Sequence, residues 1–313
     1  MIGPKITVLM SVYNGGRYLK EAIDSILNQS FMDFEFLIIN DCSTDTSKEI
    51  ILSYNDPRIR LIDNEKNIGL TKSLNRGLQL AKGEYVARQD ADDVSLPKRL
   101  EKEMKTAVEY PQTILISTGF DNFISSFNKN VLIEPSRARD KIEFIEFKDL
   151  IKGNSIFHGT VLFKKKDILD INGYDEKFKH AQDYDLWLRI SKRGKIIKLK
   201  EVLYFRRLHF NSVSMRNIIK QEYFAKLAKK KNLSNEEKVN IKALLSQKYL
   251  YRRRAAIRLN RYANIFFKNN KIKEEMFLLT KSLFIWPTVT AFKEIILALL
   301  KIIFKFIPKR DNN

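Results

Sequence analysis

Three carboxylates lie within four residues at Asp90-Ala91-Asp92-Asp93. Negative charges this close repel one another unless a cation lies among them. Carboxylate oxygens are the ligands that Mg²⁺ and Mn²⁺ prefer. The spacing therefore predicts a site for Mn²⁺ or Mg²⁺ carried with a diphosphate. The alternative is an acidic N-terminus of the helix that begins near Pro97, where the helix dipole favours carboxylates.

Polar or small residues also follow three other apolar runs. These sets are Tyr13-Asn14-Gly15-Gly16, Asn40-Asp41-Cys42-Ser43-Thr44-Asp45 and Asn67-Ile68-Gly69. Ligands of open parallel sheets bind outside the carboxyl ends of the strands, so four such sets in register predict a binding crevice. Each set alone is also compatible with ordinary turn chemistry.

Strand-length apolar runs alternate with helix-period segments in the first half of the chain. The predicted strands are Ile6–Val12, Phe34–Asn40, Ile59–Asp63 and 85–89. The predicted helices cover 17–28, 71–81, a segment from Pro97 to just before Pro111, and one from a Thr46/Glu49 capping box to Tyr54. This order predicts an α/β fold with a mostly parallel, Rossmann-like sheet flanked by helices.

The pattern is less regular further on. Strands are predicted at 114–118, 131–133, 160–163 and 202–207, and helices at 142–150 and 184–192. We interpret residues 1–214 as one domain with two halves, 1–113 and 114–214. Residues 215–313 are predicted to form a basic, mainly helical C-terminal region.

The ordered motifs resemble those of inverting family 2 glycosyltransferases with the GT-A fold, of the type that builds bacterial surface glycans. The resemblance runs through Met10–Gly16, Ile38–Asp45, Asn67–Gly69 and Arg88–Asp93, continues through Gly173-Tyr174-Asp175 and Gln182–Arg189, and ends near His209–Ser214. It covers roughly residues 5–214. It implies that 1–214 is the catalytic domain, with 1–113 as the nucleotide-sugar-binding half and 114–214 as the acceptor half. One such motif is weak evidence, whereas the ordered set is specific.

The resemblance implies an enzyme that moves a sugar from a UDP- or dTDP-sugar donor to a hydroxyl of a glycan or lipid-linked glycan acceptor. It implies that Tyr13, Asn14, Asp41, Asn67, Arg88 and Asp90 bind the nucleotide sugar. Asp92 is the implied metal ligand, assisted by Asp93 and His209, and Asp183 is the implied catalytic base. His158 and Gln182 are the implied acceptor-side residues.

Alternative interpretations apply to several of these residues. Asp183 also suits the N-cap region of the helix that contains Trp187, and a histidine such as His209 on an apolar strand is often structural. Gln182 stands where an acidic residue often precedes the base in the family. Further departures from the family pattern are Ser11, Asn40 and Cys42. None of them removes a group that the reaction requires.

The formal net charge of +20 is concentrated at the C-terminus. Residues 215–313 carry 23 Lys and Arg against 7 Asp and Glu. Basic residues beside the apolar segment 294–306, which is too short to span a bilayer, predict contact with an anionic membrane surface. A helix packed on the catalytic domain is the alternative. The sequence shows no nucleic-acid-binding module, so nucleic acid is not expected as a partner.

The cellular location is predicted from cysteine usage and the N-terminus. The lone Cys42 fits a reducing cytoplasm, and the N-terminal apolar run lacks the charged start of a signal peptide. We therefore expect a cytoplasmic protein at the inner face of the plasma membrane.

Three competing functions have less support in the sequence. A dehydrogenase would carry G-x-G-x-x-G after the first strand, and a sugar-phosphate nucleotidyltransferase a glycine-rich basic loop there; Asn14-Gly15-Gly16-Arg17 supplies neither. A catalytically silent membrane scaffold would not need Asp90, Asp92 and Asp183.

Overall fold

A computed structural model describes residues 3–124, 141–209, 212–234, 250–268 and 272–285, together with residue 296. The strands are β1 (Ile6–Val12), β2 (Phe34–Asn40), β3 (Ile59–Asp63), β4 (Tyr85–Asp90), β5 (Val94–Ser95), β6 (Thr113–Phe123), β7 (Ile142–Ile145), β8 (Val161–Lys164) and β9 (Lys195–Arg207). The helices of the same part of the chain are α1 (Gly16–Leu27), α2 (Ser47–Leu52), α3 (Leu70–Leu80), α4 (Arg99–Glu109), α5 (Phe147–Lys152), α6 (Lys165–Leu169) and α7 (Gln182–Ile190).

The sheet has the order β3-β2-β1-β4-β8-β6-β9-β5, and β7 pairs with β9. Strands β3, β2, β1 and β4 are parallel, β8 is antiparallel to β4 and β6, and β9 is parallel to β6. Six of the nine strands in the described residues therefore run the same way, so their carboxyl ends share one edge. The predicted α/β class with a mostly parallel sheet is confirmed.

Burial on both faces explains the central strands. All seven residues of β2 are buried, and in β1 only Ser11 is partly exposed. Strands covered by helices on both faces read as continuous apolar runs. For this reason the predicted bounds of β1 and β2 match the structure. The predicted bounds of β3 also match, although its residues are only partly buried.

The predicted helix at 142–150 is wrong over its first half. Residues Ile142–Ile145 form β7, which pairs antiparallel with β9, and the helix α5 begins only at Phe147. A capping box between Glu146 and Asp149 starts α5. Pairing with a distant strand therefore outweighs the local helical spacing.

Two other local predictions have different outcomes. The capping box predicted for Thr46 and Glu49 is wrong, because Thr46 makes no side-chain cap; instead Asp45 Oδ1 accepts the Ser47 backbone N–H at 3.0 Å. The predicted strand at 131–133 lies outside the described residues.

The chain divides into two compact units, Met1–His209 and Phe210–Asn313; the predicted boundary is residue 214. In the second unit the described helices are α8 (Val213–Arg216), α9 (Ile218–Asn232), α10 (Leu250–Lys268) and α11 (Ile272–Ile285). α10 contacts both α9 and α11. Arg258 Nη1 donates to Glu222 Oε1 at 2.8 Å, and Ser282 Oγ donates to the Ala256 carbonyl at 3.1 Å.

No helix within the described ranges is both long and apolar enough to cross a bilayer. The predicted membrane-facing segment 294–306 lies outside those ranges except for residue 296. Membrane association and the division at residue 113 stay predictions.

Candidate active site

The parallel strands bring the predicted site residues to one edge of the sheet. In the register of the sheet, Val12 lies beside Asn40, and Ser11 lies beside Asp90. Tyr13 and Asp41 therefore follow neighbouring strand ends, and the Asp41 backbone N–H donates to the Val12 carbonyl at 2.8 Å. The antiparallel β8 brings its amino end to this edge, which places His158 there as well.

Asp41 is buried and holds the loop that follows β3. Its Oδ1 accepts hydrogen bonds from Asn64 Nδ2 at 2.7 Å and from the Ile68 N–H at 2.9 Å, and its Oδ2 accepts one from the Gly69 N–H at 2.8 Å. Gly69 has a φ of +86°, a conformation that favours glycine. The carboxylate thus shapes the turn that carries Asn67, whose side chain is exposed.

Tyr13 and Asn14 border the same edge. The Tyr13 side chain is 53% exposed, which leaves its ring face open for packing against a ligand. Asn14 has a φ of +51°, and its Oδ1 accepts the Thr44 N–H at 2.8 Å. The loops after β1 and β2 are therefore cross-linked to each other.

Arg88 is buried beneath Asp90. Its side chain is 1% exposed, and Nη2 donates to Asp90 Oδ1 at 2.7 Å, while Nη1 donates to the carbonyls of Leu9 and Gln89. Burial raises the pKa of Asp90, and the Arg88 guanidinium opposes that rise. Arg88 is predicted to bind the donor. In the structure its guanidinium pairs with the Asp90 carboxylate.

Asp92 meets His209, which lies two residues beyond the end of β9. The His209 Nε2 atom is 2.8 Å from Asp92 Oδ2, and the Asp92 side chain is 33% exposed. The His209 ring also packs on Tyr18 of α1, with the ring centroids 4.9 Å apart. Asp92 and His209, predicted metal ligands from the two halves of the domain, therefore lie in direct contact.

Asp93 has a different environment from Asp92. It is buried, with Oδ1 accepting the Arg207 backbone N–H at 2.7 Å and Oδ2 accepting the Tyr204 hydroxyl at 3.0 Å. Burial raises the pKa of Asp93 well above its usual range, Asp92 and Asp90 add to the rise, and the Arg207 N–H opposes it. Both oxygens of Asp93 thus have partners on β9.

Two β9 residues that the sequence analysis did not select, Tyr204 and Arg207, complete this contact. The Arg207 Nε donates to the Asp92 carbonyl at 2.8 Å, and Nη2 donates to Glu21 Oε2 at 2.8 Å. Its guanidinium lies over the Tyr18 ring at 4.4 Å from the centroid. A Cβ atom at Gly159 would lie 2.2 Å from the Tyr204 hydroxyl, so glycine leaves the space that Tyr204 fills.

Asp183 lies in the first turn of α7. Its Oδ2 accepts a hydrogen bond from Asn154 Nδ2 at 3.2 Å. Burial raises the pKa of Asp183 to about 6; the N–H of Tyr184 and the Asn154 amide lower it, and the negative charge of Asp90 adds to the rise. The predicted base is therefore within electrostatic range of the strand end that carries Asp90. Gln182, beside it, is buried.

His158 is buried between the strand edge and α7. Its Nε2 lies 2.8 Å from the Tyr174 hydroxyl, and its ring packs edge-on against Trp187, with centroids 6.0 Å apart. Burial, aided by the positive charge of Arg88, lowers the pKa of His158 well below its usual range. His158 is thus a neutral imidazole at neutral pH.

Arg189 ties α7 to the Gly173-Tyr174 turn. It donates to Asp185 Oδ2 at 2.8 Å, to the Ile171 carbonyl at 3.0 Å and to the Gly173 carbonyl at 2.7 Å. Asp185 is itself fully buried. These contacts hold the Gly173-Tyr174 turn against the helix α7 that carries Asp183.

Among the described residues, no group of three or more His, Cys, Asp or Glu side chains is arranged to hold a metal ion. Asp92 and His209 form a pair of this type, and the other two carboxylates of the acidic motif have partners within the chain.

The chain matches a protein-family model over more than half of its length. The model of glycosyl transferase family 2 matches residues 7–170. The chain is also similar to an uncharacterized glycosyltransferase of Methanocaldococcus jannaschii, with 36% identity over 239 residues that cover 75% of this chain and 81% of the relative.

Solved structures share the fold. The chain resembles S. aureus TarS 1–349 in complex with UDP-GlcNAc, with a TM-score of 0.58, 18% identity, and coverage of 90% of this chain and 82% of the other. It also resembles the mannosyltransferase PcManGT from Pyrobaculum calidifontis in complex with GDP-Man and Mn²⁺, with a TM-score of 0.56, 17% identity, and coverage of 98% and 82%. The mixed sheet flanked by helices is therefore the GT-A-type sheet that the sequence predicts.

The contact between Asp93 and Tyr204 gives a first testable prediction. Tyr204→Phe removes a donor to a buried carboxylate, so we expect it to lower the free energy of unfolding by about 1–3 kcal/mol, measured by urea denaturation. Tyr13→Phe is the matched control, because the Tyr13 side chain is half exposed. Equal stability of the two variants would contradict a structural role for the Tyr204 hydroxyl.

Proposed function

Because the chain belongs to glycosyl transferase family 2, and is thus a glycosyltransferase that uses a nucleotide-sugar donor, we propose that it inverts the sugar's configuration during transfer. The donor in this proposal is a UDP- or dTDP-sugar, and the acceptor is a hydroxyl of a glycan or lipid-linked glycan of the bacterial surface. One observation carries the proposal: the Asp183 carboxylate, whose pKa is raised to about 6, lies within electrostatic range of Asp90 at the strand edge.

In this proposal the loops after β1, β2 and β3 bind the nucleotide. The exposed ring of Tyr13 packs on the base, and Asn14 and Asn67 line the loops beside it. Asp41 accepts three hydrogen bonds from the loop after β3. We therefore assign it the role of holding that loop for the base, with the base's own contacts made nearby.

Asp92 and His209 are suited to a divalent cation that is shared with the diphosphate. Mg²⁺ in such sites commonly takes one or two protein ligands and completes its shell with phosphate oxygens and water. One carboxylate oxygen and one imidazole nitrogen that already meet at 2.8 Å fit this requirement. A bound Mn²⁺ or Mg²⁺ supplies Lewis-acid stabilisation of the leaving diphosphate. The contacts of Asp93 with β9 favour a supporting role for that residue.

Asp183 acts as the general base. An acceptor hydroxyl becomes a strong nucleophile when a carboxylate within hydrogen-bond reach takes its proton. The hydroxyl oxygen then bonds to the anomeric carbon on the face opposite the diphosphate, the proton goes to Asp183, and the bond from the anomeric carbon to the diphosphate oxygen breaks. Attack on the opposite face inverts the configuration.

The buried residues around this base have supporting roles. Arg88 orients Asp90, which we assign to the ribose or the donor sugar. Neutral His158, with Tyr174, forms the wall on the acceptor side, and buried Gln182 adds no charge beside Asp183.

We also propose that the basic C-terminal region contacts an anionic membrane at the inner face of the plasma membrane. The support is the charge of residues 215–313, which contain 23 Lys and Arg against 7 Asp and Glu. An acceptor carried on a lipid would then lie in the same membrane that binds the enzyme.

A donor panel tests the proposed donor and metal. We expect one of several UDP- and dTDP-sugars to be turned over with Mn²⁺ and not with a chelator. Asp92→Ala should weaken Mn²⁺-dependent binding of UDP by about tenfold or more, measured by calorimetry. Asp33→Ala is the control, because Asp33 is exposed just before β2, away from the carboxyl ends. Unchanged UDP binding in Asp92→Ala would contradict the metal assignment.

The base assignment predicts a pH dependence. The ionised form of Asp183 is the active form, so the rate should rise with pH through about 6, above the ordinary range of a carboxylate. Asp183→Asn should lower kcat by about 10²-fold or more while UDP still binds. The matched control Asp170→Asn, at an exposed position after α6, should keep full activity. An active Asp183→Asn enzyme rules out this base.

Vesicle binding tests the membrane proposal. The chain should be retained by vesicles of anionic lipid at low salt, released at about 1 M salt, and not retained by neutral vesicles. Charge reversal at Lys301 and Lys305 should weaken retention more than reversal at the exposed Lys20 and Lys105. Retention on duplex DNA in place of vesicles would contradict the proposal.

A further inference from the structure

Asn154 lies in the turn between α5 and β8 and contacts the predicted base across 29 residues of sequence. Its side-chain Nδ2 is 3.2 Å from Asp183 Oδ2, and its Oδ1 accepts the Ile156 backbone N–H at 3.2 Å. The second contact fixes the orientation of the amide, because only oxygen can accept that N–H. The NH₂ group is consequently directed at the carboxylate.

The turn that carries Asn154 is itself anchored to the sheet. Lys198 of β9 donates from Nζ to the Ser155 carbonyl at 2.8 Å, and burial lowers the pKa of Lys198. On the other side of the turn, the Tyr184 hydroxyl of α7 donates to the Leu150 carbonyl of α5. The segment that carries Asn154 is thus held by contacts to both β9 and α7.

The charged and titratable groups around Asp183 are few within the described residues. Asp90 at the end of β4 raises the pKa of Asp183, and the Tyr174 hydroxyl in the preceding loop interacts with Asp183. On its own helix, Asp185 is paired with Arg189. Two kinds of donor therefore reach this carboxylate within the described residues. Backbone N–H groups of α7 are one kind, and the side-chain amide of Asn154 is the other.

The geometry points to Asn154 as a positioning residue for the base, a role that rests on the proposed function. Its amide holds Oδ2 of Asp183 and stabilises the ionised carboxylate that accepts the proton of the acceptor hydroxyl. Without this donor, burial and the negative charge of Asp90 act on Asp183 with less opposition, so a larger fraction of the base is protonated near neutral pH.

Direct titration of the full-length chain tests this role without a donor substrate. The carboxyl carbons of ¹³C-labelled aspartate are followed by NMR as the pH is varied, and loss of one signal in Asp183→Asn identifies the base. In Asn154→Ala we expect the midpoint of the Asp183 titration to rise by about 0.5–1 unit, the shift that corresponds to one lost hydrogen bond. Asn55→Ala, at an exposed position outside the site, should leave the midpoint unchanged.

Asn154→Asp separates the donor role from a merely structural one. The aspartate keeps an oxygen for the Ile156 N–H, so the turn is retained, but it offers no N–H to Asp183 and adds a like charge. We expect a larger rise of the Asp183 midpoint than in Asn154→Ala, with a matching shift of the acid limb of kcat/KM. A midpoint in Asn154→Asp equal to that of the unmodified chain would overturn the inference.

The two proposals fail in different ways. If Asp183→Asn keeps its activity, the base assignment is wrong whatever Asn154 does. If Asp183→Asn is inactive while both Asn154 variants titrate like the unmodified chain, only the role of Asn154 is wrong.

Discussion

Electrostatic repulsion among the carboxylates at the carboxyl edge of the sheet is the constraint on which the site depends. Asp90, Asp92 and Asp93 lie within four residues, and burial raises the pKa values of Asp90 and Asp93. The protein gives each one a separate partner: the Arg88 guanidinium, the His209 imidazole, and the hydroxyl and backbone N–H of β9. Each carboxylate consequently has a different environment.

The partners of Asp92 and Asp93 connect the two halves of the sheet. Arg88 belongs to the parallel strands of the N-terminal half, whereas Tyr204 and Arg207 belong to β9. Arg207 additionally reaches α1 through Glu21. A buried charge without its partner costs several kcal/mol. The halves are therefore held in one relative position by the groups that neutralise the carboxylates.

How much of this was predictable varies with the range of the interaction. The bounds of β1 and β2 follow from near-continuous burial, a local pattern, and the order of the polar loops follows from parallel strands. The spacing of 142–150 predicts a helix throughout, because the pairing of β7 with β9 is not encoded in that segment. In the same way, no local signal shows that the oxygens of Asp41 hold the loop 64–69, or that Asn154 reaches Asp183. Tyr204 and Arg207 lie in the strand segment 202–207, and nothing in that segment's own pattern indicates a contact with the acidic motif.

The space above Gly159 links three positions that are far apart in the chain. Tyr204 occupies the volume that a side chain at 159 would need, and its hydroxyl contacts Asp93. Among relatives, these positions should consequently change as a set. Where position 159 carries a larger residue, the ring of Tyr204 is excluded, and Asp93 loses the hydroxyl that donates to it. Covariation among Asp93, Gly159 and Tyr204 would then result from the steric exclusion of a side chain at position 159 by the Tyr204 ring.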